Sequence, residues 1–357
     1  MVKSGKIASM QLILNLPNFY HQSIQRFKRY GWQLLYKDRR QKRLAQLNLV
    51  SRDALEIAQI SCALNTDCDL SSPTSLCVRS SLSYEHFFLQ SAQRKKNTEH
   101  YVTLMAINLK QYSDYATYLK AIRKYSFFER KSKKALKLGF VFAPLHYENY
   151  LPDIQAIRES LKWRAAGLPK DPYVLTPDVL QSQPSLSREI KLPHCDIHWE
   201  KWFGIFQSQP NYRQGQVITH QKLLAYARIR RAGNTIKYAE LIGHFEYLNS
   251  GVMALLHLEI MRYFLESPTA PADHGIEYLT YNNLERGADG LFFWKRKALF
   301  RPHKIELLGH QLPTDFDPKQ YLDLNPDVAH AKIDPAEHYR QIGHLEQRLY
   351  KPLITKQ

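Results

Sequence analysis

The segment Asn249 to Glu266, NSGVMALLHLEIMRYFLE, constrains the fold more than any other part of the chain. Its side chains are apolar around most of the circumference, whereas a helix lying on a surface carries a polar stripe. Such a helix has to be buried against a sheet. Asn249 or Ser250 supplies its cap, and Pro268 stands just past its end. The neighbouring segments supply candidate strands. Upstream, Leu223 to Arg230 and Thr235 to Leu241 form a hairpin around Arg231-Ala232-Gly233-Asn234, where Gly and Asn suit positive φ. Downstream, Ile276 to Tyr281 (IEYLTY) reads as a strand.

The rest of the middle of the chain continues the alternation. Tyr101 to Leu109 is a strand, and Ser113 to Leu138 is a long helix with Asp114 in its first turn and Gly139 past its end. Phe140 to Pro144 is a short strand, Leu151 to Trp163 a helix opened by Pro152 and Asp153, and Trp199 to Phe206 another strand. Leu291 to Leu299 is a helix and Lys304 to Leu308 a closing strand. This order predicts an α/β (α+β) domain over 101–310, with a mixed central sheet covered by helices on both faces.

With 44% hydrophobic residues in 357, the chain can bury a large core and is expected to be globular. No stretch approaches the roughly 18 uninterrupted apolar residues of a membrane-spanning helix. The apolar run Met10 to Leu16 is short and has no small-x-small cleavage site behind it, so a signal peptide is not expected. Cys62, Cys68, Cys77 and Cys195 are too sparse for a disulfide scaffold, which makes reduced thiols and a cytoplasmic location the expectation.

The formal charge of +17 is uneven, because residues 1–50 hold ten Lys or Arg against the single acid Asp38. Phe19, Ile24, Phe27, Tyr30, Leu34 and Leu35 recur at helical spacing among these cations. Residues 1–60 therefore read as a basic amphipathic arm, and 61–100, rich in Ser, Thr and Asp, as a linker. A second basic helix, Ile122 to Leu138, carries Arg123, Lys124, Arg130, Lys131, Lys133, Lys134 and Lys137 against Glu129, with Tyr125, Phe127 and Phe128 interleaved. Either a solvated basic face or a docking surface for something acidic accounts for such runs. For helices 19–43 and 122–138, that partner would be an acyl carrier protein, a tRNA or an anionic lipid surface met from outside the bilayer.

Three stretches together resemble the GNAT superfamily of acyltransferases and its bacterial relatives with a FemAB-like helical front. They are RKYSFFERKSKKALKLGF with LPDIQAIRESLKWR; the hairpin LLAYARIRRAGNTIKYAELIGH running into NSGVMALL; and YLTYNNLERGADGLFFWKRKALFRPHKIEL. The resemblance implies a GNAT-like sheet whose strand before the central helix splays from its neighbour and receives the pantetheine arm of acyl-CoA or acetyl-CoA. Carried over, the cofactor-binding residues are Tyr238 and Leu241 on that strand and Leu248, Asn249, Ser250, Gly251 and Val252 at the helix start. A helix N-terminus presents unpaired amides and a positive dipole, so an anion is chemically suited to that position. Only Gly251 remains of the family's Gly-rich phosphate run. The implied reaction is acyl transfer to an amine, with no metal.

Acyl transfer needs a base for the attacking amine and a proton donor for the leaving thiolate. Glu240 and His244, at and beyond the end of the splayed strand, are the candidate bases, and Tyr281 is the candidate donor, with Asn282 beside it. Strict alternation would place Tyr238 and Glu240 on one face. Arg123 and Arg164 are candidate anchors for a substrate anion. His194, Cys195 and His198 lack a second ligand pair and do not make a zinc site. Two other readings stay open: a FemAB-like transferase that draws on aminoacyl-tRNA, and a non-catalytic binding protein on a degenerate GNAT fold.

Residues 315–351 form a separate all-α module. Asp317-Pro318, Asn325-Pro326 and Asp334-Pro335 each put a capping side chain before a Pro at the first helical position. The pattern, ending on Gly343, Glu346 and Arg348, resembles a short helical module appended to bacterial glycosyltransferases. By association that resemblance points to an amino-sugar or envelope-glycan acceptor.

Overall fold

The computed structural model describes residues 42–43, 59–63, 103–160, 196–266, 273–284, 287–308, 312–344, 346 and 348–352. Residues 1–56 with 284–286 form one compact unit, and 57–283 with 287–357 form another. Within the first, Arg43 Nη1 donates to the Leu284 carbonyl at 2.7 Å. The expected basic arm otherwise lies outside the described residues, as do residues 64–102 of the expected linker and Arg164.

The second unit is built on an eight-stranded mixed sheet. Its strands are β1 (Gln59–Ala63), β2 (Thr103–Asn108), β3 (Phe140–Pro144), β4 (His198–Ser208), β7 (Gln221–Ala232), β8 (Thr235–Gly243), β9 (Tyr278–Asn283) and β10 (Arg301–Leu308). The spatial order is β1-β10-β2-β9-β8-β7-β4-β3, and a small separate hairpin, β5 (Arg213–Gln214) with β6 (Val217–Ile218), sits between β4 and β7 in the chain. β1 runs parallel to β10, and β8 runs parallel to β9. The strand at Gln59–Ala63 was not legible locally, because its partner β10 lies some 240 residues along the chain. The expected hairpin is present with longer strands than expected, so its turn shrinks to Gly233-Asn234.

Helices cover both faces, as expected. On one lies α4 (Val252–Leu265), where Phe264 contacts Trp199 and Phe203 of β4 at 6.2 and 6.4 Å. α1 (Tyr115–Ile122), α2 (Phe127–Lys137) and α5 (Asp289–Lys297) join it through Tyr118, Phe128 and Trp294, whose rings contact His257 of α4. On the other face lies α3 (Leu151–Ser160), with Ile154 and Ile157 packed on Phe206, Leu223 and Tyr226. Asp153 at its start is buried, and its carboxylate accepts from Leu223 N and Tyr212 Oη, both at 2.7 Å. Desolvation raises its pKa. The residue expected to open a helix thus also anchors the start of β7.

Two expected boundaries change for identifiable reasons. The single helix Ser113 to Leu138 is two helices, separated by a 3-10 turn (Arg123–Tyr125) and by Ser126 at φ 49°. The buried sets Tyr115-Tyr118-Ile122 and Phe128-Ser132-Ala135 are roughly 100° out of phase on one continuous helix, so a break is needed for both to face the core. The central helix begins at Val252 rather than Asn249, because Phe245–Ser250 forms a 3-10 turn. Its cap is Gly251 at φ 91°, where an added Cβ would collide with the Lys131 carbonyl of α2.

The C-terminal module contains the three short helices α6 (Pro318–Leu324), α7 (Pro326–His330) and α8 (Pro335–His338). Asp317 and Asp334 cap as expected. Asn325 does not; its Nδ2 donates to the Tyr321 and Leu349 carbonyls at 2.8 and 2.9 Å.

Replacing Gly251 by Ala combines left-handed backbone strain with overpacking against α2. It is expected to lower stability by about 2–4 kcal/mol in urea unfolding, and a loss below half a kcal/mol would contradict the packing described.

Candidate functional site: a gap between two bulged strands

The parallel ladder between β8 and β9 consists of Thr235↔Tyr278, Ile236↔Leu279 and Lys237↔Thr280. Just beyond its last rung, each strand carries an extra residue. On β8, Tyr238 pairs with Ile229 and Glu240 with Arg228, leaving Ala239 as a bulge. On β9, Thr280 pairs with Ala106 and Asn283 with Leu104, so Tyr281 and Asn282 together oppose Met105. Asn282 has φ 52°, a left-handed conformation that Asn tolerates better than most residues. A bulge bends its strand and sharpens the local twist. Two of them at one level end the pairing and open a gap along half-buried Ala239, Leu241 and Ile242.

The bulge also overturns the expectation that Tyr238 and Glu240 share a face. The extra Ala239 reverses the alternation, so Tyr238 points to α4 and Glu240 to α3. Tyr238 is 1% exposed, and its hydroxyl lies 2.9 Å from Nδ1 of the fully buried His257. His257 Nε2 lies 2.8 Å from Tyr118 Oη, which donates to the Ala298 carbonyl at 3.0 Å. Since Tyr118 spends its proton on Ala298, Nε2 must carry the hydrogen and Nδ1 must accept from Tyr238. The ring is therefore neutral, and burial pushes its pKa down to about 3. Tyr238, expected to line the cofactor arm, is a core residue at the base of the gap. Tyr281 lies beside it, 5.5 Å ring to ring and 8% exposed, and burial pushes its hydroxyl up to about 12. Lys295 Nζ sits 5.0 Å from the Tyr281 ring and donates to the Asn283 carbonyl.

On the α3 face, Glu240 is held from three sides. Oε2 accepts from Arg158 Nη2 at 2.8 Å and Tyr226 Oη at 2.7 Å, and Oε1 accepts from Arg228 Nη1 at 2.9 Å. Burial alone would raise its pKa, but these donors hold it below the ordinary carboxylate value. A carboxylate so paired is a poor proton acceptor. Glu200 extends the cluster, accepting from Arg230 Nε at 2.7 Å and Trp202 Nε1 at 3.1 Å, with Arg228 Nε at 2.9 Å. Trp202 is stacked between Tyr147 and Tyr226 at 5.1 and 5.6 Å. Arg158, Arg228, Arg230 and Glu200 were not singled out from the sequence. The available signal was the two-residue spacing of Tyr226, Arg228 and Arg230 on one strand and of Glu200 and Trp202 on another.

The remaining expected site residues gather beyond the end of β8. His244 caps the 3-10 turn, its Nδ1 accepting from Glu246 N at 3.4 Å, with the Glu246 carboxylate 3.9 Å away. His244 and Glu240 share no printed contact. Asn249 is exposed, but its carbonyl accepts from Lys131 and Lys134 Nζ at 3.3 and 3.1 Å. Leu248 and Ser250 are half-buried, and Gly251 and Val252 are buried. The close approach that Gly251 permits is thus taken by α2 rather than left open to a phosphate. Arg123 pairs with Glu129 at 3.3 Å, away from the gap. Among the described residues no group of three or more His, Cys, Asp or Glu is placed to hold a metal.

No family model matches this chain. No curated protein matches it either. Among solved structures, it is similar to the C-terminal domain (DUF2156) of a protein described as a lysylphosphatidylglycerol synthetase from Agrobacterium fabrum, with 12% identity and a TM-score of 0.31. The match covers 57% of this chain and 58% of that one, so it spans less than two thirds of that structure. At this identity and score, fold and activity are left to the chain's own geometry.

Two outcomes follow for stability. Tyr238→Phe leaves His257 Nδ1 buried without a donor and is expected to cost about 1–3 kcal/mol in denaturant unfolding. His257 in the unfolded chain takes a proton below pH 6.5 that the native ring refuses until about pH 3. Stability present above pH 6.5 is therefore lost as pH falls towards 3, by on the order of 5 kcal/mol across that span. Glu240, with its native pKa lowered, adds a loss below its ordinary value of 4.5. Comparing unfolding at neutral and acid pH, His257→Phe should flatten the decline between pH 6.5 and 4.5. An unchanged slope in that variant would show that the ring is not buried neutral.

Proposed function

We propose that this chain is an acyltransferase that passes an acyl group from a carrier thioester to an amine, with the carrier's arm lying in the gap between β8 and β9. The observation that carries this reading is the pair of bulges beyond Lys237↔Thr280, which leaves the edge of β8 from Ala239 to Ile242 facing an opening. An extended amide-containing arm can hydrogen-bond to such an edge as an added strand would. Acyl-CoA or an acyl carrier protein supplies an arm of this kind.

In this reading Tyr281, kept protonated by burial, gives its proton to the departing thiolate. His244 accepts the amine proton at Nδ1, exchanging its long contact with Glu246 N for an imidazolium beside the Glu246 carboxylate. Glu240 is assigned a positioning role instead, because its paired state favours holding Arg158 and Arg228 over moving a proton. Leu241 and Leu248 flank the arm, and Asn282 sets the β9 bulge. The acceptor is an amine on a sugar, amino acid or lipid precursor. A second reading, aminoacyl-tRNA as donor, is favoured by the backbone of α2 against Gly251, which crowds the place where a CoA diphosphate would sit.

Native mass spectrometry and thermal melts with CoA, acetyl-CoA and bulk tRNA test these readings. A thioester at 100 times its Kd should stabilise the protein by about 2.7 kcal/mol. Silence towards CoA thioesters, with salt-sensitive tRNA binding, would replace the first reading with the second. Silence towards both would leave a binding protein. With an established activity, His244→Gln and Tyr281→Phe should each lower kcat by about a hundredfold or more. Unchanged rates would remove both assignments.

A further inference from the structure

One end of the sheet gathers the last turn of α2, the start of β3, the end of β8 and the 3-10 turn Phe245–Ser250. The contacts that tie them together are Phe140 with Tyr247, Lys134 Nζ with the Asn249 carbonyl, Lys222 Nζ over the Tyr247 ring, and Phe245 N with Ser160 Oγ. Large apolar side chains stand out into solvent there: Leu136 (55% exposed), Leu138 (48%), Val141 (54%) and Phe245 (62%). They are four of the seven large hydrophobic side chains that are exposed among the described residues. Around them α2 presents Arg130, Lys131, Lys133, Lys134 and Lys137. The acids at this end are Glu129, which Lys133 and Arg123 already pair, and exposed Glu246. The surface is thus cationic with apolar knobs, and it is the end towards which β8 and β9 diverge.

We propose that this end of the domain docks on an anionic phospholipid bilayer, with Leu136, Leu138, Val141 and Phe245 entering the headgroup region and the α2 cations meeting lipid phosphates. The charge complementarity selects an anionic partner, and the chemistry of the knobs selects a bilayer. Aliphatic side chains have nothing to stack on a nucleic acid, whose single strands are held by aromatic platforms and whose duplexes are held by polar contacts. An interface of lipid headgroups over acyl chains takes both features, cations at the phosphates and apolar groups beneath. No helix among the described residues is long and apolar enough to cross a membrane, so the contact is one of lying on the surface. The inference rests on this surface alone and holds whichever acyl carrier is used.

The test is sedimentation of the full-length chain with vesicles of phosphatidylcholine alone and of phosphatidylcholine mixed equally with phosphatidylglycerol. Binding is expected to the mixed vesicles only, and to weaken as salt is raised. The triple variant Leu136→Ser, Leu138→Ser, Phe245→Ser should bind about tenfold or more weakly with an unchanged melting temperature, because all three side chains already face water. Arg130→Glu with Lys137→Glu should weaken binding in the same way. Equal binding to both vesicle types, or none to either, would overturn the proposal. So would a triple variant that binds mixed vesicles as well as the wild type, since binding would then reside elsewhere in the chain. Retention on tRNA in place of the vesicles would assign the cations to nucleic acid.

Discussion

Between β8 and β9 the backbone ladder holds for three pairs and no further, and much of the surrounding architecture is a response to that stop. A β-strand edge beside a gap leaves polar groups that need either a partner or water. The two bulges deal with this by bending the strands apart, so that the edge faces an opening instead of a dry mismatch. One bulge has a second effect. The extra Ala239 sends Tyr238 and Glu240 to opposite sides of the sheet, and the two faces below the gap become chemically different.

The face under α4 is dry. Its only means of keeping polar groups there is complete satisfaction, and the chain from Tyr238 through His257 and Tyr118 to the Ala298 carbonyl achieves this with each proton assigned. An imidazolium would break that order, which is why the ring stays neutral. The face under α3 is wetter and ionic. Glu240 and Glu200 answer Arg158, Arg228 and Arg230, all about a fifth exposed, so attraction and residual hydration together hold the charges. A reacting group placed in the gap would have neutral donors on one side and fixed charges on the other.

Glycines elsewhere show how motif-like residues serve packing. Gly251 looks like the remnant of a phosphate loop, yet its missing Cβ is what lets the Lys131 carbonyl approach. Gly343 closes the C-terminal module in the same manner, since a Cβ there would collide with the hydroxyl of Tyr321, a residue of that module's core. Arg348, which ends the same pattern, bonds both oxygens of Asp327 at 2.7 Å and Glu346 at 2.6 Å. The module's signature residues thus form a clasp, and they carry no chemistry of their own.

Strand and helix order was legible in the sequence because it depends on local periodicity. The apolar segment ending at Leu265 had to be a buried helix, and Phe140 to Pro144 appears with the bounds its composition suggested. The candidates Tyr281 and His244 could be named from their places at strand ends. What local pattern could not supply was anything set by a partner far along the chain. The pairing of β1 with β10, the break at Ser126 and the α2 backbone against Gly251 are of this kind. The bulge at Ala239 belongs with them, since a strand's register is decided by its neighbour and one extra residue reverses every face beyond it. The sequence alone therefore determined which elements form. The tertiary structure decided which way Tyr238 and Glu240 point, and with that which of them could meet a substrate.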